Sequence, residues 1–242
     1  MNLSQATSYD VGKLKPDVVI LPVGSTEQHG PHAPLSTDFL IAESIASHAI
    51  EKFQGTAIIA PTVPYGISEE HRNFPGTIWL SPNTFRNCIS DIVNSFIHNG
   101  WKKIIIVNGH GGNIDALSEI SANITRSSNR TAFVTTFTWF KHSPNLSMGH
   151  AGETETSLLL HLFPLLVHSD RISSSSSNKD SHWGNFQHGA QMAYDVNEFS
   201  ENGVVGDPTL ATSKNGIKLL NEASTSLSNL LTSVSSTDLS SH

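Results

Sequence analysis

The sequence predicts an α/β fold: a single three-layer α/β/α domain over residues 1–242, built on a mostly parallel sheet. Short apolar, β-branched runs recur along the chain, several of them ending in glycine. Stretches with helical apolar spacing separate them, and repeated β–α units of this kind imply a parallel sheet with helices on both faces. The length, 242 residues, suits one large core that folds without a disulfide.

In chain order, DVVILPVG (17–24) reads as a buried strand ending in glycine. A helix follows over 38–53, with Ile41, Ile45 and Ala49 on one face and Ser36 or Thr37 as its cap. TAIIAPTVPYG (56–66) reads as a second strand. Residues 82–99 place Phe85, Ile89, Ile92, Val93 and Phe96 on one stripe, and Gly100 stops that helix. KKIIIVNG (102–109) is the clearest strand, apolar on both faces, and a helix runs from its loop to residue 125. RTAFVTTFTWF (130–140) reads as a strand and GETETSLLLHLF (152–163) as a helix. The serine-rich stretch 171–191 breaks the pattern and reads as a mobile loop. A last helix is expected from Asp207 to about Leu231, packing through Leu210, Ile217, Leu220, Leu227 and Leu231.

The net charge of -7 is not the footprint of a nucleic-acid binder. No apolar run approaches the roughly 20 residues needed to span a bilayer, so no membrane partner is expected. The start has no apolar signal core, and a single cysteine, Cys88, fits a reducing compartment. A cytoplasmic protein is the expectation.

Three clusters carry chemistry. In GSTEQHGPHAPLSTD (24–38), Glu27 and His29 are two apart and face one side of an extended segment, while Gln28 points away. Asp38 follows at a helix start, where its two oxygens suit it to bridge two cations. The second cluster, NGHGGN (108–113), puts His110 at a strand end beside Gly111, Gly112 and Asn113. The third, GHAGETET (149–156), offers His150, Glu153 and Glu155 at a loop-to-helix junction. Mixed imidazole and carboxylate donors suit Zn²⁺, Mn²⁺, Fe²⁺ or Co²⁺. A serine hydrolase is disfavoured because Ser25 lacks the G-x-S-x-G elbow.

These clusters, with PYGISEEHRNFPGT (64–77) and GVVGDP (203–208), resemble the creatininase family of metal-dependent amidohydrolases across nearly the whole chain. The resemblance implies two divalent ions per chain (Zn, Mn or Fe), with Glu27, His29, a bridging Asp38 and His110 as ligands. Creatininase takes a further glutamate two positions after the strand-end histidine; here that position is Gly112. Glu155, with Glu153 as the less favoured choice, is therefore expected to complete the second metal. Creatininase proper also has a Tyr-Glu pair where Gly111-Gly112 stands, and a tryptophan shortly before the histidine that matches His150; here the segment is SPNLSMG. The pattern is more like the relatives that trim the mycofactocin precursor peptide or deformylate a formamidopyrimidine nucleotide.

The implied activity is hydrolysis of a non-standard amide C–N bond in a small-molecule or short-peptide substrate: a cyclic amide, formamide or peptide amide. Ligated ions of this kind activate water near neutral pH. His150 is the candidate general acid, and His32 is placed to steady the ligands from behind. Glu70, His71 and Arg72 read either as pocket lining or as a solvated turn. The competing readings are a precursor-peptide peptidase, a non-catalytic metal-binding homologue and a metal-dependent phosphate-ester hydrolase. The family resemblance further implies a homo-oligomer, with a hexamer as the expected form.

Overall fold

The computed structural model describes residues 1–142, 148–175 and 183–239. Its core is a four-stranded parallel sheet of β1 (Val18–Val23), β2 (Ala57–Ile59), β3 (Lys103–Asn108) and β4 (Phe133–Thr138), in the order β2-β1-β3-β4. Alternate residues of the central strands enter opposite layers. Val18, Ile20, Ile105 and Val107 pack against α1 (Thr37–Lys52), α4 (Glu153–Leu162) and α5 (Ser213–Ser235). Val19, Leu21, Ile104 and Ile106 pack against α2 (Pro82–His98) and α3 (Ile114–Ser127). Burial on both faces explains why β1 and β3 read as continuous apolar runs rather than as alternations. No described helix is long and apolar enough to cross a membrane.

Several boundaries differ from expectation for identifiable reasons. The strand expected over 56–66 keeps its ladder only at Ala57–Ile59, because Pro61 and Pro64 lack the N–H that a ladder needs. Beyond it the chain holds single bridges, Val23 to Val63 and Gly66 to Trp79. Ser36 stands at the N-cap of α1, but neither it nor Thr37 caps by side chain; the Thr37 hydroxyl donates instead to Pro34 O at 2.7 Å.

The last helix begins at Ser213, not Asp207. Pro208–Leu210 form a 3-10 turn, and the Thr212 hydroxyl accepts from Asn215 N at 3.1 Å to start α5. Leu220, Leu227 and Leu231 are buried as expected, whereas Leu210 and Ile217 are 58% and 52% exposed. The stretch expected as one mobile loop, 171–191, contains a helical turn at Ile172–Ser175 and a small hairpin of β5 (Phe186–Gln187) and β6 (Ala190–Gln191). Residues 176–182 of that stretch lie outside the described residues.

Candidate metal centre

All four parallel strands deliver their following loops to one edge of the sheet. Glu27 and His29 follow β1, His71 follows β2, His110 follows β3, and His150 lies beyond β4. Asp38 sits in the first turn of α1 and Glu155 in the first turn of α4. Close approach of these loops depends on glycine at 109, where a Cβ would lie 2.2 Å from Asp38 O.

The side chains converge with little exposure. His29 Nε2 is 3.1 Å from Asp38 Oδ1 and 3.8 Å from Glu155 Oε1. His110 Nδ1 is 3.1 Å from Glu27 Oε2 and 3.2 Å from Asp38 Oδ2. Asp38 thus turns one oxygen to each histidine. His150 Nδ1 lies 3.7 Å from Glu27 Oε1.

Each of these three histidines has its other nitrogen beside a backbone carbonyl. The pairs are His29 Nδ1 with Glu27 O at 3.2 Å, His110 Nε2 with Ile67 O at 2.7 Å, and His150 Nε2 with Gln28 O at 2.7 Å. A carbonyl only accepts, so this network assigns N–H to the outer nitrogens and aims the inner ones at the carboxylates. Glu155 is fixed by Ala151 N–H, 2.6 Å from Oε2, and Ala151 holds a left-handed φ of 53° to present that group.

Electrostatics follow from this crowding. Burial pushes the Glu27 carboxyl up to about 7; Asp38 adds to the effect and His110 opposes it. Burial would also raise Asp38, but His29 and His110 outweigh it and hold that group below the usual carboxylate range. Burial pulls His29 and His110 down, yet both end well above the usual imidazole value. Asp38 and Glu155 raise the first, and Glu27 and Asp38 the second. His150 is lowered to about 4 by burial and by His29.

These residues fit divalent ions. Glu27 Oε1 and Oε2, His29 Nε2 and Asp38 Oδ2 are buried without a hydrogen-bond partner, which is costly unless a cation satisfies them. Donor atoms of Glu27, Asp38 and His110 lie within 4.8 Å of one another, as do those of His29, His150 and Glu155. Two cations sharing Asp38 would use the first trio together with His29 and Glu155, leaving His150 free for other work. A third trio joins Glu27, His71 and His150.

Other expected residues fall differently. Glu153 turns to α5, where Oε1 accepts from Asn215 Nδ2 at 3.1 Å, so it faces away from Asp38 and His29. The ring nitrogens of His32 pair with hydroxyls rather than with the expected ligands. Past the turn at Gly30 and Pro31 it pairs with Thr156 Oγ1 at 2.9 Å and Ser175 Oγ at 3.1 Å, tying α4 to the 172–175 turn. Burial and then His29 lower it to about 4. Asn113 is buried as a brace, accepting from Ile67 N at 2.9 Å and donating to Gly24 O at 3.1 Å. Gly111 and Gly112 line the cavity above the carboxylates.

Two contributors, Gln28 and Trp183, were not foreseen, and His71 follows the pocket-lining alternative rather than the solvated turn: it is fully buried with Nε2 3.3 Å from Glu27 Oε1. Burial, then His150, His110 and His29, hold it well below the usual imidazole value. Gln28 does point away from Asp38, but its amide nitrogen is 2.8 Å from His71 Nδ1 and donates to Gly203 O at 3.0 Å, joining three loops. Trp183 stands with its ring 5.9 Å from His71 and 6.0 Å from His150. The signal for His71 and Gln28 was their place inside the motif stretches; Trp183, after the serine run, had none. Trp139 lies in the core.

The cavity above the carboxylates holds about 500 Å³. A second hollow of about 400 Å³, between α3 and β4, is lined by Lys141, His142 and several hydroxyls, and does not include the carboxylates.

Comparison with known proteins assigns the chain to a family. The family model for creatininase, creatinine amidohydrolase, matches residues 4–231. The mycofactocin precursor peptide peptidase of Mycolicibacterium smegmatis is 36% identical over 230 residues, spanning 91% of this chain and 86% of the relative. A Bacteroides fragilis crystal structure, provisionally assigned as a creatinine amidohydrolase, superposes with a TM-score of 0.85 at 26% identity, over 99% of this chain and 98% of that one. A mutant creatininase of Zn–Zn type superposes with a TM-score of 0.83 at 20% identity, over 96% and 97%, which shows the shared fold. With a family match over nearly its whole length and a relative this similar, the chain belongs to the creatininase family of hydrolases acting on amide C–N bonds.

Proposed function

We propose that the chain cleaves a non-standard amide C–N bond with two divalent ions, of zinc, manganese or iron, held by Glu27, His29, Asp38, His110 and Glu155. The observation that carries this reading is that buried atoms of Glu27, His29, Asp38 and His71 lack hydrogen-bond partners, and that donor atoms of these residues fall into trios within 4.8 Å of one another. When bound, such ions supply a hydroxide nucleophile near neutral pH and polarise the substrate carbonyl.

The chain's own residues do the rest. Backbone carbonyls lock the ligand histidines in the tautomer that presents a lone pair inward. His150 has Nδ1 toward the cavity and Nε2 beside Gln28 O, so Nδ1 is the atom that takes up a proton and hands it to the leaving nitrogen. Gln28 fixes His71, which stands against Glu27 and limits its rotation. Trp183 covers the His71–His150 side and excludes water there.

A second reading, trimming of a short precursor peptide, is favoured by the similarity to the mycobacterial peptidase over most of both chains. Cytoplasmic location and a homo-oligomer of hexameric form complete the proposal. The test is metal content per chain in protein purified without chelator, followed by a panel of cyclic amides, formamides and short peptides. About two ions per chain with amide turnover is the expected result. No uptake of Zn²⁺, Mn²⁺ or Fe²⁺ would sink the reading, and cleavage of peptides alone would select the second.

A further inference from the structure

We propose that the cavity selects amides carrying a positively charged group beside an apolar one, and that Glu70 and Asp115 form the charge-selecting wall. This names the substrate class of the same site and rests on the amide-hydrolase reading above.

The wall is built by an exchange between loops. A Cβ on Gly112 would lie 2.2 Å from Ile67 O, 2.6 Å from His110 Nε2 and 2.9 Å from Glu70 Oε1. The residue two positions after the strand-end histidine therefore carries no side chain, and the carboxylate of Glu70 lies against that volume from another loop. Its basic neighbour, His110 Nε2 at 3.5 Å, already has Ile67 O at 2.7 Å. Asp115, exposed in the first turn of α3, lines the same cavity.

Among the described residues lining the cavity there is no lysine or arginine. Arg72, two residues from Glu70, is turned outward to Asp195 at 2.8 Å and Glu69 at 3.4 Å. Lys141 lies at the other hollow. Phe140, Met148 and Trp183, the last 39% exposed, line the same cavity. An indole face accepts a cation as well as an apolar ring. From the floor, the unpartnered buried atoms of Glu27, Asp38 and His71 face the same space, so the acidic wall belongs to a cavity built to take a ligand. The net charge of -7 adds a field that draws cations in and repels anions. The carboxylates of Glu27, Asp38 and Glu155 would offset most of the charge of two bound divalent ions, so beyond those ions a phosphorylated substrate meets the carboxylates of Glu70 and Asp115 and, among the described lining residues, no lysine or arginine.

The test uses three N-benzylformamides that differ only in a para substituent: aminomethyl (cationic), hydroxymethyl (neutral) and carboxyl (anionic). For the metal-loaded enzyme kcat/KM should fall in that order, by about tenfold per step. In Glu70→Gln with Asp115→Asn the cationic-to-neutral ratio should shrink towards one, and added salt should shrink it in the wild type. A wild-type ratio of one or less, or a ratio unmoved in the double variant, overturns the proposal. If none of the three is cleaved by protein carrying both ions, the formamide part of the reading above fails. Calorimetric binding of the same compounds then decides the charge question: cationic tightest sustains it, and any other order overturns it.

Discussion

Asp38 and His150 are both buried and within reach of Glu27 and His29, yet their geometry separates their roles. Asp38 offers Oδ1 to His29 and Oδ2 to His110, so Asp38→Ala should remove metal and activity together. His150 Nδ1 is 3.7 Å from Glu27 Oε1 and its outer nitrogen is held by Gln28 O, so His150→Ala should reduce turnover about 10²- to 10⁴-fold while both ions stay bound. Elemental analysis beside initial rates checks both; loss of metal from His150→Ala would make it a ligand instead. Glu27, His29, Asp38 and His110 were legible from the sequence because short-range spacing and strand ends place them. Gln28 and Trp183 were not, and His71 only as one of two alternatives, because their roles come from contacts between loops far apart in sequence: Gln28 meets Gly203, 175 residues away. Glu153 and Glu155 are two apart on one helix turn, and which of them turns inward depends on Asn215 and on the Ala151 N–H.

At the scale of elements, α5 shows what an apolar pattern does and does not fix. Leu227 is fully buried against the sheet and its helices, while Ile217 is half exposed one face away. Leu227→Ala should cost about 2–5 kcal/mol, and Ile217→Ala within about 0.5 kcal/mol beyond its small change in helix propensity. Denaturant titration measures both, and equal losses would mean that Ile217 packs on something the isolated chain does not contain. The central strands were readable in advance because isoleucine and valine on both faces leave no other home for them than an interior sheet. The short β2 and the late start of α5 were not. Proline at 61 and 64 removes ladder donors, and Thr212 wins the cap over residues nearer Asp207, a competition settled by local hydrogen bonds.

For the whole molecule, the centre is a store of electrostatic cost that depends on pH. His29 and His110 are raised on folding, so the stability they add is full below about 6.5, their unfolded value, and is lost as pH rises through their higher folded values. Glu27, raised from 4.5 to about 7, adds a penalty that grows across that window and is complete above it. His150 and His32, lowered to about 4, act the opposite way, but only below about 6.5; Asp38, lowered, contributes a constant amount near neutrality. Metal-free protein should therefore melt at a lower temperature at about pH 8.5 than at about pH 6.5, and bound ions should flatten that dependence by replacing the protons. Scanning calorimetry with and without chelator checks this; parallel curves would refute it. The order β2-β1-β3-β4 and the two helical layers were anticipated in kind, since parallel strands require crossovers, though not in strand order, which no local signal encodes. The Gln28 amide has a consequence for how such enzymes diverge. By holding Gly203 and His71 from one side chain, with His150 on its backbone carbonyl, it gears three loops together, so a shift in one must be matched in the others. Phe140, Met148 and Asp115 lie outside that linkage. Inherited changes of diet should accumulate at those three positions first, while the geared loops drift only as a set.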